Sequence, residues 1–178
     1  MYGSQKAVVD ETADIERAAA AIVGGASFDN NIVCVDEKEV IAVESIVDDL
    51  IQHMGRHGAR VLNERELHKV TNVIFSEYPG RRQRGTVEKD LIGKNASEIL
   101  ARAGIASQGD PRLIVARVTN GHPLIWTEQM MPVLPVNACA MRSATSFMKR
   151  ASSPLASHSA SAPIAPSISA RSSISLLA

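Results

Sequence analysis

From Ala7 to about Val136, short β-branched apolar runs alternate with longer stretches of helical spacing, and this alternation constrains the chain more than any other feature. Ala7-Val8-Val9, Glu39-Val40-Ile41-Ala42-Val43 and Leu113-Ile114-Val115-Ala116-Arg117-Val118 have the length and branching of buried strands. Between them, Ile15 to Val23 reads as a helix, with Thr12 or Asp14 as its N-cap and Gly24-Gly25 as its stop. Ile46, Leu50, Ile51 and Met54 share one face of a second helix that ends near Gly55 or Gly58. Leu67, Val70 and Ile74 mark a third between Arg65 and Phe75, and Ala96 to Ala103 a short fourth. Tyr78-Pro79-Gly80 is a turn signal and Arg81 to Gly85 an exposed loop. Met130 to Val136, interrupted by Pro132 and Pro135, is extended. Strands separated by helices predict an α/β domain on a parallel sheet. No internal repeat is visible.

Composition narrows the class. Aromatic residues make up only 3% of the 178, so the core must be built from Val, Ile, Leu, Ala and Met. Nineteen basic residues balance nineteen acidic ones, which argues against an electrostatic partner such as nucleic acid or a membrane surface. No apolar run approaches the roughly 20 residues that span a bilayer. The Met1-Tyr2-Gly3-Ser4 start lacks the pattern of a signal peptide. Two cysteines without a CxxC spacing do not make a disulfide framework, and a soluble, cytoplasmic protein is expected.

The zero net charge hides an asymmetry. Every acidic residue lies at or before Glu128, and beyond Ala151 the chain is largely Ser, Ala and Pro. Such a composition buries too little apolar surface to offset the entropy of ordering. The expected division is therefore a folded part at 1–136 and a low-complexity tail at 137–178, either disordered or the product of a change of reading frame near Val136.

Few residues could carry chemistry. Cys34 stands between a helix end and a strand, where a thiol can meet substrate, although by spacing alone a single cysteine is more often inert packing. His53 and His57 are four apart on one helical face, as a metal pair is, but the glutamate of an HExxH motif is missing. Solvent-facing histidines near a helix C-terminus account for them better. No metal site is expected. A thiol–imidazole pair of Cys34 with His53, His57 or His68 is not selected by spacing. Arg81, Arg82 and Arg84 could meet a phosphate-bearing ligand such as coenzyme A, though a solvated loop explains them better. No glycine-rich phosphate fingerprint follows a strand.

Phe28-Asp29-Asn30-Asn31, then Cys34, then Glu37-Lys38-Glu39-Val40 resembles the nucleophile segment of the CoA-acylating aldehyde dehydrogenases of ethanolamine and propanediol breakdown. The resemblance begins upstream at Val8 to Asp14 and resumes downstream in the block His122 to Val136. It implies part of the catalytic domain of the aldehyde dehydrogenase fold, with Cys34 as the nucleophile. By the same resemblance, Glu128 stands where these enzymes hold the nicotinamide ribose. NAD and coenzyme A are the implied cofactors, and a short aldehyde is the implied substrate. A complete enzyme of this kind is expected to form homo-oligomers, sometimes in a bacterial microcompartment. The family has a large dinucleotide-binding region before the matched segment, where only Met1 to Lys6 stand here. A piece cut short at both ends and inactive alone is therefore expected. The alternatives are a non-catalytic assembly piece and a thiol hydrolase.

Overall fold

The computed structural model describes residues 5–77, 80–107 and 109–140. Its centre is a five-stranded, wholly parallel sheet in the order β1-β2-β7-β6-β3. The strands are β1 (Gln5–Val9), β2 (Glu37–Val43), β3 (Ala59–Val61), β6 (Leu113–Val118) and β7 (Val133–Cys139). A two-stranded antiparallel hairpin, β4 (Phe75–Glu77) with β5 (Thr86–Val87), stands apart from it. The α/β, parallel-sheet expectation holds.

Parallel strands need crossovers, and the helices supply them on both faces. The helices α1 (Ile15–Ala26) and α2 (Val47–Arg56) cover one face. On the other lie α3 (Glu64–Ile74), α4 (Ala96–Arg102) and the short α5 (Pro123–Trp126). The period-2 alternation of strand side chains divides β6 between the two cores. Leu113 and Val115 pack under α1 and α2, whereas Ile114, Ala116 and Val118 face α3 and α4. Burial on both faces is why these strands read as unbroken apolar runs.

Several elements differ from the sequence expectation. Asp14 is the N-cap of α1, its side chain accepting from the Arg17 N–H at 3.1 Å, while Thr12 bonds back to Asp10. The helix does not stop at Gly24-Gly25 but runs through them to Ala26. Two helix-interior glycines cost about 1 kcal/mol each. Val23 and Ala26 are fully packed in the core, and burying them outweighs that cost. Strand β3, the β4–β5 hairpin and α5 are too short to show a period. The stretch from Met130 becomes β7 only from Val133, and its ladder with β2 opens at Val136, directly after Pro135, which has no N–H to give. The strand continues to Cys139, so the sheet extends past the expected Val136 boundary. Tyr78 and Pro79, and the tail from 141, lie outside the described residues.

Candidate functional site

Strands β2 and β7 are neighbours and parallel, with Val40 opposite Val136. The segments that enter them therefore lie together at the amino end of the sheet. One carries Cys34 and the other Glu128, so this pairing places two residues 94 positions apart at the same end of the sheet. Both side chains are exposed.

The chain reaches Cys34 through an unusual turn. Asp29, Asn30 and Asn31 have φ of 44°, 53° and 61°, three successive left-handed residues with no glycine among them. Asn and Asp are the side chains that tolerate this region best, which explains the Asp-Asn-Asn run. Each asparagine also anchors the turn. Asn30 Nδ2 donates to the Gly93 carbonyl and to Asn95 Oδ1, both at 2.9 Å. Asn31, nearly fully buried, donates from Nδ2 to the carbonyls of Ala26 at 2.7 Å and Glu37 at 3.0 Å. Cys34 then occupies a turn closed by the Asp36 N–H donating to the Val33 carbonyl at 3.2 Å. This closing bond does not use the N–H groups of Cys34 and Val35.

Lys38 is the residue the sequence did not flag. Only 3% exposed, it donates from Nζ to the Asn31 carbonyl and to Asn31 Oδ1, the latter at 2.8 Å. Burial pushes its pKa below the ordinary lysine value, against the opposing influence of Asp36, Glu128 and Cys34, which its charge faces. Asp36 is itself buried, and among the described residues its Oδ2 has no hydrogen-bond partner. A lysine two residues inside a strand looks like ordinary surface patterning, so only its burial reveals it. Next to it, Glu37 lies half-buried against Gly25, where a Cβ would collide with its carboxylate. Burial, and the nearby Asp36, push the Glu37 carboxyl above its usual range.

A third segment closes the site. The Gly93 N–H donates to the Met130 carbonyl at 3.0 Å, tying the loop before α4 to the Glu128 segment. Gly93 has φ +72°, and a Cβ there would meet Ile32 Cδ1 at 2.7 Å, so the position admits only glycine without rearrangement. Phe28, Ile32 and Val35 flank Cys34 as exposed apolar side chains.

The other candidate residues lie elsewhere. His53 and His57 meet the two carboxylate oxygens of Glu16 on α1, His57 at 2.8 Å, so they clasp two helices instead of facing solvent alone. His68 sits beside Asn72. Half-buried His122, whose pKa burial lowers, accepts from the Leu124 N–H and caps α5. Among the described residues, no hydrogen bond joins a histidine to Cys34, and no three His, Cys, Asp or Glu side chains are grouped to hold a metal ion. Arg81, Arg82 and Arg84 are exposed.

No protein-family model matches the chain. It is 44% identical over 135 residues to the acetaldehyde dehydrogenase (acetylating) EutE of Escherichia coli K12, a match covering 75% of this chain and 28% of that one. The structure superposes on Rhodopseudomonas palustris propionaldehyde dehydrogenase with bound propionyl-CoA at TM-score 0.69 and 37% identity, over 77% of this chain and 29% of the other. A propionaldehyde dehydrogenase from the fucose utilisation bacterial microcompartment of Clostridium phytofermentans matches at TM-score 0.71 and 33% identity, over 78% and 31%. The parallel sheet, with a cysteine turn at its amino end, is thus that of the aldehyde dehydrogenases. Over the matched residues, the chain is homologous to their CoA-acylating branch. It spans 28% of the length of the curated relative it matches.

Proposed function

We propose that this chain carries the nucleophile and a cofactor-orienting carboxylate of a CoA-acylating aldehyde dehydrogenase. The observation that carries the reading is that exposed Cys34 and Glu128 lie in the segments entering the neighbouring strands β2 and β7 at their amino end, the two segments that resemble such enzymes. Cys34 Sγ, as thiolate, attacks the carbonyl carbon of a short aldehyde, and the carbonyl oxygen takes up the negative charge. The Cys34 and Val35 N–H groups, which the Val33–Asp36 bond leaves out, are suited to receive that oxygen. A bound nicotinamide cofactor, NAD in this reading, supplies the hydride acceptor. Glu128, exposed and acceptor-only when ionised, fits a sugar hydroxyl and so orients that cofactor. The acyl group left on Cys34 passes to the thiol of coenzyme A, giving acyl-CoA.

Exposed Phe28, Ile32 and Val35 beside the thiol also support a second reading, in which this face packs on further polypeptide of a homo-oligomeric enzyme. No described helix is long and apolar enough to cross a membrane. Placement in the cytoplasm or in a microcompartment is part of the proposal, supported by the Clostridium relative.

The test runs the acyl-transfer step backwards. Propionyl-CoA is incubated with the chain, the Cys34 thiolate displaces the CoA thiolate, and the protein gains a propionyl group read by intact and peptide mass. The expected result is acylation at Cys34, lost in Cys34→Ala and kept in Cys139→Ala. Equal acylation of both cysteines, or none, overturns the reading.

A further inference from the structure

We infer that Lys38 is a positioning residue for the nucleophile, holding the left-handed Asn31 turn in place while presenting the positive charge that the Cys34 thiolate faces. The inference rests on Cys34 being the nucleophile.

Two independent observations support it. The first is connectivity. The buried ammonium donates to both the main-chain and the side-chain oxygen of Asn31, and Asn31 in turn ties the end of α1 to the start of β2. Three left-handed residues in a row are costly for side chains other than glycine. A charge-assisted pair of bonds at the last of them holds a shape that local preference alone does not enforce.

The second is charge placement. An ammonium 3% exposed is an expensive group to bury, and a hydrocarbon of the same length would pack there more cheaply. Held on Asn31, its charge interacts electrostatically with Cys34, Asp36 and Glu128, so it offsets two carboxylates that would otherwise repel an anion approaching the thiol. Holding the turn requires only a hydrogen-bond donor, whereas drawing an anionic reagent to the thiol requires the charge. The two roles can therefore be separated by substitution.

The experiment compares the 178-residue chain with Lys38→Gln, which keeps a donor and loses the charge, and Lys38→Met, which loses both. Each is alkylated with neutral iodoacetamide and anionic iodoacetate, and rates at Cys34 and Cys139 are read by peptide mass. In both reagents the thiolate sulfur bonds to the methylene carbon and iodide leaves, so their rate ratio cancels the thiolate fraction. Cys139, at the opposite end of the sheet on β7, is the internal reference.

The expected result for Lys38→Gln is a fall of about three-fold in the iodoacetate-to-iodoacetamide ratio at Cys34, the scale of one charge acting through a largely aqueous medium. The Cys139 ratio should not move. Lys38→Met should show the same fall and, in addition, a loss of at least about ten-fold in the Cys34 rate with either reagent. A ratio unchanged in Lys38→Gln removes the electrostatic role, since a purely structural residue would slow both reagents alike. Unchanged Cys34 rates in Lys38→Met remove the positioning role. If Lys38→Met does not fold, Lys38→Gln alone decides. Failure of the nucleophile reading registers separately, as absent propionyl transfer to wild-type Cys34.

Discussion

Replacing Asn31 with alanine tests whether the nucleophile turn is held by the bonds described. Asn31 is 3% exposed, so water cannot replace what the side chain loses. Two neutral hydrogen bonds disappear, to the Ala26 and Glu37 carbonyls. They contribute about 1 kcal/mol each. The third lost bond comes from the Lys38 ammonium at 2.8 Å. A bond to a charged group is worth about 1.5–3 kcal/mol. Alanine at φ 61° adds strain of about 1 kcal/mol relative to asparagine. The sum is a destabilisation of about 4.5–6 kcal/mol, large beside the roughly 5–15 kcal/mol stability of an ordinary domain. The assay is urea denaturation followed by circular dichroism and Trp126 fluorescence, with an unchanged slope expected. Asn31→Gly removes the same bonds but adopts the left-handed conformation freely, so it should be about 1 kcal/mol more stable than the alanine variant. A loss below about 1.5 kcal/mol in Asn31→Ala, or a glycine variant weaker than the alanine one, would refute the reasoning.

Other expectations follow from burial and charge. Leu100, fully buried between α4 and the sheet, should cost about 2–5 kcal/mol when cut to alanine, measured by the same denaturation. The Glu37 carboxyl is held above its ordinary 4.5 by burial, so the folded state binds its proton more tightly than the unfolded state does. Its contribution to stability therefore falls as pH rises from the ordinary value through the raised one, and Glu37→Gln should gain on wild type over that window in thermal melts. Glu16 behaves in the opposite sense, because the bonds from His53 and His57 hold its carboxyl below 4.5. Its stabilisation is present above the unfolded-state value and is lost as pH falls through the folded one. The melting difference between wild type and Glu16→Gln should shrink accordingly in acid.

The architecture was legible where the sequence is periodic. Leu67, Val70 and Ile74 placed α3, and the unbroken run from Leu113 to Val118 placed a strand buried on both faces. Cys34 and Glu128 were picked out by resemblance to known enzymes, since a lone thiol or carboxylate has no local pattern. The Gly24-Gly25 pair was a misleading stop signal, because core packing around Val23 and Ala26 decided that helix end.

The sequence by itself determined which segments are strands and helices, and that the chain before the Ser/Ala/Pro tail can make a core of aliphatic side chains, because those properties depend on near neighbours. It also determined the Asp-Asn-Asn run, the chemistry best suited to a left-handed turn. Only the tertiary structure decided that β7 inserts beside β2, and hence that the segments carrying Glu128 and Cys34 enter the sheet at the same end. Strand order depends on how sheet edges and helix faces pair over long separations, which no local window records. The same packing turned Lys38 from an ordinary strand lysine into a buried charge on Asn31, and His53 and His57 from the expected solvent-facing pair into a clasp on Glu16.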